Sequence, residues 1–136
     1  MNKAILIVED NQAIREIIGE FLSTLIDTDD VRIFKTGTET EAGEILKNED
    51  VSLLITDINL GSEGDGLSLV DGLKQESQRP YIIAMSSIEW IGRIDTYLEN
   101  GVVDTFLSKP FSYKDLKSKL LDSKVIKLKH NINGFN

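Results

Sequence analysis

The stretch Ala4-Ile5-Leu6-Ile7-Val8-Glu9-Asp10-Asn11 decides the fold. Apolar residues run unbroken from Ala4 to Val8 and then stop on two acids. An uninterrupted apolar run of this length predicts a strand covered on both faces, as in a parallel sheet, because a half-wet antiparallel strand would alternate. The run is too short for a membrane span or for the apolar core of a secretory signal, and no small-residue cleavage site follows it. Asn11 is a good helix N-cap type, and Ile14, Ile17, Ile18, Phe21, Leu22 and Leu25 then recur at helical spacing. The segment therefore reads as strand, acidic turn, helix.

The same unit returns along the chain. Val31–Phe34 predicts a second strand; Thr36-Gly37 breaks it, and Thr38-x-x-Glu41 has the form of a capping box before a helix with Ala42, Ile45 and Leu46 on its buried side. Val51–Thr56 predicts a third strand stopping at Asp57, followed by a glycine-rich loop from Gly61 to Gly66 and a short helix marked by Leu69, Val70 and Leu73. Pro80 introduces a fourth strand, Tyr81 to Met85, ended by two serines. Trp90, Ile91, Ile94 and Leu98 outline a helix that Gly101 can terminate. Thr105–Leu107 predicts a fifth strand, and Ser112-x-x-Asp115 opens a last helix with Leu116, Leu120 and Leu121. Five βα units with short connections predict an α/β fold, a parallel sheet with helices on both faces.

Composition narrows the function. The 136 residues suit one domain, and 40% hydrophobic with 28% charged residues is an ordinary globular mixture. The absence of cysteine excludes disulfides, thiolate metal sites and cysteine nucleophiles, and fits a cytoplasmic location. The formal charge is −8, although Lys124, Lys127 and Lys129 in the tail are offset by no acid there. So acidic a body repels nucleic acid phosphates and favours a divalent cation where carboxylates converge.

In an open parallel sheet, ligands bind beyond the carboxyl ends of the strands. Those ends carry Glu9-Asp10, Asp57, Ser86-Ser87 and Lys109. Three carboxylates brought together repel one another, and a hard cation such as Mg²⁺ would neutralise them while keeping waters for a phosphate. Asp57 then fits a nucleophile toward phosphorus, with Lys109 and a serine hydroxyl stabilising the phosphoryl oxygens.

Ile5-Leu-Ile-Val-Glu-Asp-Asn11, Leu53-Leu-Ile-Thr-Asp57 and Phe106-Leu-Ser-Lys-Pro-Phe111 together resemble the response regulator receiver domains of two-component signalling, of the single-domain chemotaxis-regulator type. The resemblance covers residues 3–122. It implies a flavodoxin-like, doubly wound (βα)5 sheet of strand order 2-1-3-4-5. It also implies a receiver domain over residues 1–123, with 124–136 a short basic tail. The tail is read as extending the last helix, because Leu121, Val125 and Leu128 keep helical spacing. By the same resemblance Asp57 is the phosphoacceptor, and Asp10, Asp57 and the Asn59 backbone carbonyl hold Mg²⁺ (or Mn²⁺), with Glu9 acting through water. Lys109 contacts the phosphoryl group, Ser86 is the switch hydroxyl and Phe106 the switch aromatic, and the Lys109–Pro110 bond is cis.

The implied function is a signalling switch rather than an enzyme on a separate substrate. It takes phosphate from a sensor histidine kinase or histidine phosphotransfer protein, catalyses its own transfer and loses the phosphate slowly. The implied output surface is the face of the fourth helix, fifth strand and fifth helix, where Trp90, Ile91, Tyr97 and Tyr113 are candidates. The protein partner there is unspecified, with no direct nucleic acid or membrane contact, in a monomer or phosphorylation-linked homodimer. The sequence departs from the family in the loop after Asp57, which lacks the usual Met-Pro pair, and in Ser87, which leaves open which serine is the switch. Two other readings are a receiver-like interaction module working without phosphate and an aspartyl-phosphate phosphohydrolase. The second is disfavoured because Asp57-Ile58-Asn59 lacks the second aspartate needed for proton transfer. His130 is read as a solvated tail residue.

Overall fold

The computed structural model describes residues 3–58, 66–73, 79–87 and 98–129. Five strands, β1 (Lys3–Val8), β2 (Val31–Thr36), β3 (Val51–Asp57), β4 (Tyr81–Ser87) and β5 (Thr105–Lys109), form one parallel sheet ordered β2-β1-β3-β4-β5. Helices α1 (Gln12–Leu25), α2 (Glu39–Asn48) and α3 (Gly66–Leu73) connect strands, and a C-terminal helix spans Tyr113–Ser123. The α/β architecture and strand order match the expectation. The helix expected over Trp90 to Leu98 falls almost wholly outside the described residues, as do Tyr97, His130 and the loop after Ile58 up to Gly66.

The period of two in β1 explains the two-sided core. Ala4, Leu6 and Val8 point to one face with Leu54, Ile82 and Ala84, where Ala42 of α2 and Val70 of α3 cover them. Ile5 and Ile7 point to the other with Ile55, Ile83 and Met85, under Ile18 and Leu22 of α1 and Leu116 and Leu120 of the C-terminal helix. Phe21 and Tyr113 join those two helices edge to face, with ring centroids 5.3 Å apart. Tyr113 is thus packed against α1.

Helix starts follow the chemistry of their caps. Asn11, Thr38 and Ser112 each accept a hydrogen bond from the backbone N–H three residues on. Ser112 and Asp115 form a reciprocal capping box: Asp115 N–H donates to Ser112 Oγ at 3.1 Å and Ser112 N–H to Asp115 Oδ2 at 3.0 Å. At Thr38 the outward half forms, while the Glu41 carboxylate accepts from the Thr38 hydroxyl instead.

The tail corrects one expectation. The last helix does not continue through Val125 and Leu128 but ends at Ser123, with Lys124 in the left-handed region at φ 60°. Ser123 Oγ donates to the Leu120 carbonyl at 2.6 Å and accepts from Val125 N–H, which diverts the backbone from the helical ladder. The chain then turns back. Leu128 forms an antiparallel bridge with Ile26, Lys129 N–H donates to the Leu25 carbonyl, and Ile126 is buried in the α1-side core. Leu121, which helical continuation would pair with Val125, is 55% exposed. Because a lysine pays the steric cost of the left-handed turn, Lys124→Gly is expected to raise stability by about 0.5–1 kcal/mol in urea unfolding. A loss of stability would mean that the lysine side chain contributes more than its backbone costs.

Candidate functional site

Parallel strands in this register end together, so β1, β3 and β5 deliver their terminal residues to one edge of the sheet. Val8 is paired with Thr36 and Thr56, Asp57 with Met85, and Ser87 with Lys109. Glu9, one residue past β1, is fully buried. Asp57, the last residue of β3, is 5% exposed, whereas Asp10 faces solvent. Carboxylate oxygens of Glu9, Asp10 and Asp57 lie within 4.8 Å of one another. An all-oxygen, acidic set of this kind fits a hard divalent cation.

Lys109 closes the cluster. Its Nζ donates to Asp57 Oδ2 at 2.8 Å and is also ion-paired with Glu9 Oε1. Burial works against its charge, but the bonds to Asp57 and Glu9 outweigh it and raise the ammonium pKa above its ordinary value. Glu9 moves for the opposite reason. Burial pushes its carboxyl up to about 7, helped by the Asp57 charge and opposed by hydrogen bonds from Lys109 and the Asn11 backbone.

That shift has a stability consequence in the metal-free protein. The Glu9 carboxyl titrates near 4.5 when unfolded and near 7 when folded, so the folded state holds the extra proton between those values. Stability is full below that window and falls as pH rises through it, by up to about 3 kcal/mol. Glu9→Gln is expected to remove this part of the pH slope in chelator-treated protein, followed by urea unfolding from pH 4.5 to 7.5. Parallel profiles for wild type and variant would contradict it.

Ser86 is buried in β4, where its Oγ donates to the Ser87 carbonyl at 3.1 Å. Ser87 is half-buried opposite Lys109. Both serines extend β4 rather than end it. Phe106, half-buried in β5, packs against the α2–α3 side of the core. The Lys109–Pro110 bond is cis. Asn59 lies outside the described residues. The structure thus brings together Glu9, Asp10, Asp57 and Lys109.

Sequence reading did not single out Arg15, and it took Gly37 only as a strand breaker. The Arg15 guanidinium donates from Nη1 to the Glu9 backbone carbonyl at 2.8 Å. Gly37 has no side chain in the space beside it. The signals were present, an arginine one turn past the N-cap Asn11 and a glycine at the end of β2, but neither alone implies a contact across the sheet edge.

Comparisons with known proteins agree with this architecture. The response regulator receiver domain model matches residues 5–121. The chemotaxis protein CheY homolog of Campylobacter jejuni is 37% identical over 121 residues, covering 87% of this chain and 89% of that protein. The KDP operon transcriptional regulatory protein KdpE of Escherichia coli is 34% identical over 116 residues, covering 85% of this chain and 48% of that protein. The chain spans about half the length of the first curated relatives it matches. Among solved structures, the receiver domain of the response regulator TorR is 25% identical with a TM-score of 0.73, covering 88% of this chain and 94% of that one. Chemotaxis response regulator CheY4 of Vibrio cholerae is 18% identical with a TM-score of 0.75, covering 90% and 99%, a likeness of fold. Among the described residues no helix is long and apolar enough to cross a membrane. With its β2-β1-β3-β4-β5 sheet, its acidic edge closed by a lysine and a family match over residues 5–121, the chain belongs to the response regulator receiver domains of two-component systems.

Proposed function

We propose that this receiver domain takes a phosphoryl group onto Asp57 in a Mg²⁺-dependent reaction and thereby changes its protein-binding surface. The observation that carries the proposal is the convergence of three carboxylates with one lysine at the carboxyl edge of the sheet. Asp10 and Asp57 would hold the ion, with the Asn59 carbonyl as third ligand and Glu9 acting through water. Bound there, Mg²⁺ would offset negative charge on the phosphoryl oxygens.

The chain's own residues supply the remaining chemistry. An Asp57 carboxylate oxygen attacks phosphorus, forming the acyl phosphate as the donor bond breaks and its electron pair leaves with the donor. The donor is the phosphohistidine of a sensor kinase or phosphotransfer protein. Lys109, held cationic by its two carboxylate partners, moves its bonds to the arriving oxygens. The Ser86 hydroxyl, with Ser87 beside it, gives up its local carbonyl partner to bond a phosphoryl oxygen, and Phe106 reorients toward the site. The charge and acceptors gained at residue 57 are thereby passed to β4 and β5 and the surface beyond them. The same structural chemistry supports slow loss of the phosphate to water.

Incubation with acetyl phosphate tests the reading. Intact mass is expected to rise by one phosphoryl group with Mg²⁺, and by at least about tenfold less after chelation. Equal uptake with and without the metal would contradict the role given to the acidic cluster. No uptake in either, sampled at short times, would favour an interaction module working without phosphate.

A further inference from the structure

We infer that Arg15 and Gly37 form a clamp that positions the Glu9–Asp10 backbone for metal binding, a role that rests on the Mg²⁺ reading of the acidic cluster. Glu9 is where the chain leaves β1 and turns toward α1, so the angle of its peptide sets where the Asp10 carboxylate falls relative to Asp57. The Glu9 backbone is held on both sides of its Cα. Its N–H donates to the Thr36 carbonyl at 3.0 Å, and its carbonyl accepts from Arg15 Nη1 at 2.8 Å. The side chain of Glu9 is fixed in addition by Asn11 N–H at 3.1 Å and by Lys109.

Gly37, which directly follows Thr36, leaves the slot in which this happens. A Cβ there would stand 2.8 Å from Arg15 Nη1, 3.6 Å from the Glu9 carbonyl oxygen and 3.7 Å from Asp10 Cα. The glycine thus leaves room for the guanidinium: a Cβ would press on Arg15 Nη1 and push it off the Glu9 carbonyl, while the backbone of the acidic pair stays at ordinary contact distance. Arg15 is half-buried in this slot and reaches the Glu9 carbonyl through Nη1 alone. Three segments, the end of β1, the first turns of α1 and the β2–α2 connection, thus meet at one carbonyl. Removing the guanidinium or filling the slot frees the same peptide, so both changes act on the same step.

Arg15 is a positioning residue, because it touches the backbone that carries the ligands and not the ion. Loss of a group that orients metal ligands typically weakens binding by about 10–100-fold. A purely electrostatic role gives the opposite sign, since removing a cation beside an acidic cluster strengthens Mg²⁺ binding.

Calorimetric Mg²⁺ titration of wild type, Arg15→Met, Arg15→Lys, Gly37→Ala and the Arg15→Met/Gly37→Ala double variant tests the clamp, with urea unfolding of each to confirm a folded sample. Expected are about tenfold weaker binding in Arg15→Met and in Gly37→Ala, and a double variant about as weak as either single one. Arg15→Lys, which keeps a donor able to reach the Glu9 carbonyl, is expected to recover most of the affinity and serves if the methionine variant does not fold. Wild-type affinity in folded Arg15→Met and Gly37→Ala, or tighter binding in Arg15→Met, would overturn the clamp while leaving the metal site standing. Absence of Mg²⁺ binding in wild type would overturn the metal reading itself and the clamp with it.

Discussion

Replacing Lys109 by Met is expected to lower the stability of the metal-free protein by roughly 3 kcal/mol at pH 8. The lysine is the shared cationic partner of Glu9 and Asp57, both almost wholly buried. Methionine keeps most of its volume, so the loss reports charge rather than a cavity. Left without the ammonium, the two carboxylates face each other in a site that hydrates them poorly, and Glu9 rises further as a weak acid. The sign with pH follows. At pH 5 Glu9 takes up a proton and much of the loss disappears; at pH 8 the loss is full. Mg²⁺ in the millimolar range is expected to return part of the stability, since an ion bound only by the folded state stabilises it by mass action. Urea unfolding at pH 5 and pH 8, with chelator and with Mg²⁺, reads all of these effects. A loss below about 1 kcal/mol at both pH values would place Lys109 among ordinary surface ion pairs.

The second large effect is expected for Asp57→Asn. Phosphoryl uptake from acetyl phosphate should fall by at least about a thousandfold, to background, because an amide oxygen cannot replace the carboxylate as nucleophile. The substitution keeps the shape of the side chain and the end of β3, so the variant is expected to remain folded. It also removes a charge that helps to push the Glu9 carboxyl upward, so Glu9 should titrate lower than in wild type. Retained uptake in a folded Asp57→Asn protein would mean that phosphate goes elsewhere. Asp10, also in the cluster, would be the first residue to test.

Much of the site is legible in the sequence itself. Parallel strands with both faces covered tolerate a serine or threonine but rarely a charge, so the first acid after a largely apolar run marks the edge of the sheet. Glu9 and Asp57 were read in this way, and the register of β1 with β3 brings them to the same edge. The ends of β4 and β5 were less legible. Ser86, Ser87, Ser108 and Lys109 look like loop residues, yet Ser86 pairs with Ser108 and Ser87 with Lys109. Backbone pairing accepts any side chain that the edge can tolerate, and composition alone does not count the last ladder bonds.

The tail failed for a different reason. Leu121, Val125 and Leu128 satisfy helical spacing, but spacing records only which residues are apolar, not whether the backbone reverses between them. The decisive features are local: Ser123 bonding back to Leu120, and Lys124 in a left-handed turn that sequence does not advertise. Ile126 and Leu128 then bury themselves against Ile26 and the α1-side core from the opposite direction. The contact between Arg15 and the Gly37 position was not legible because it joins segments distant in sequence. A half-buried arginine and a glycine without a positive φ carry no periodic signature.

The most direct measurement of the central claim is the site of phosphorylation. Protein treated with acetyl phosphate and Mg²⁺ is reduced with borohydride, which converts an aspartyl phosphate to homoserine, and is then digested and sequenced by tandem mass spectrometry. Homoserine is expected at position 57 and at no other aspartate. Homoserine at another aspartate, or none in samples quenched within seconds, would contradict it.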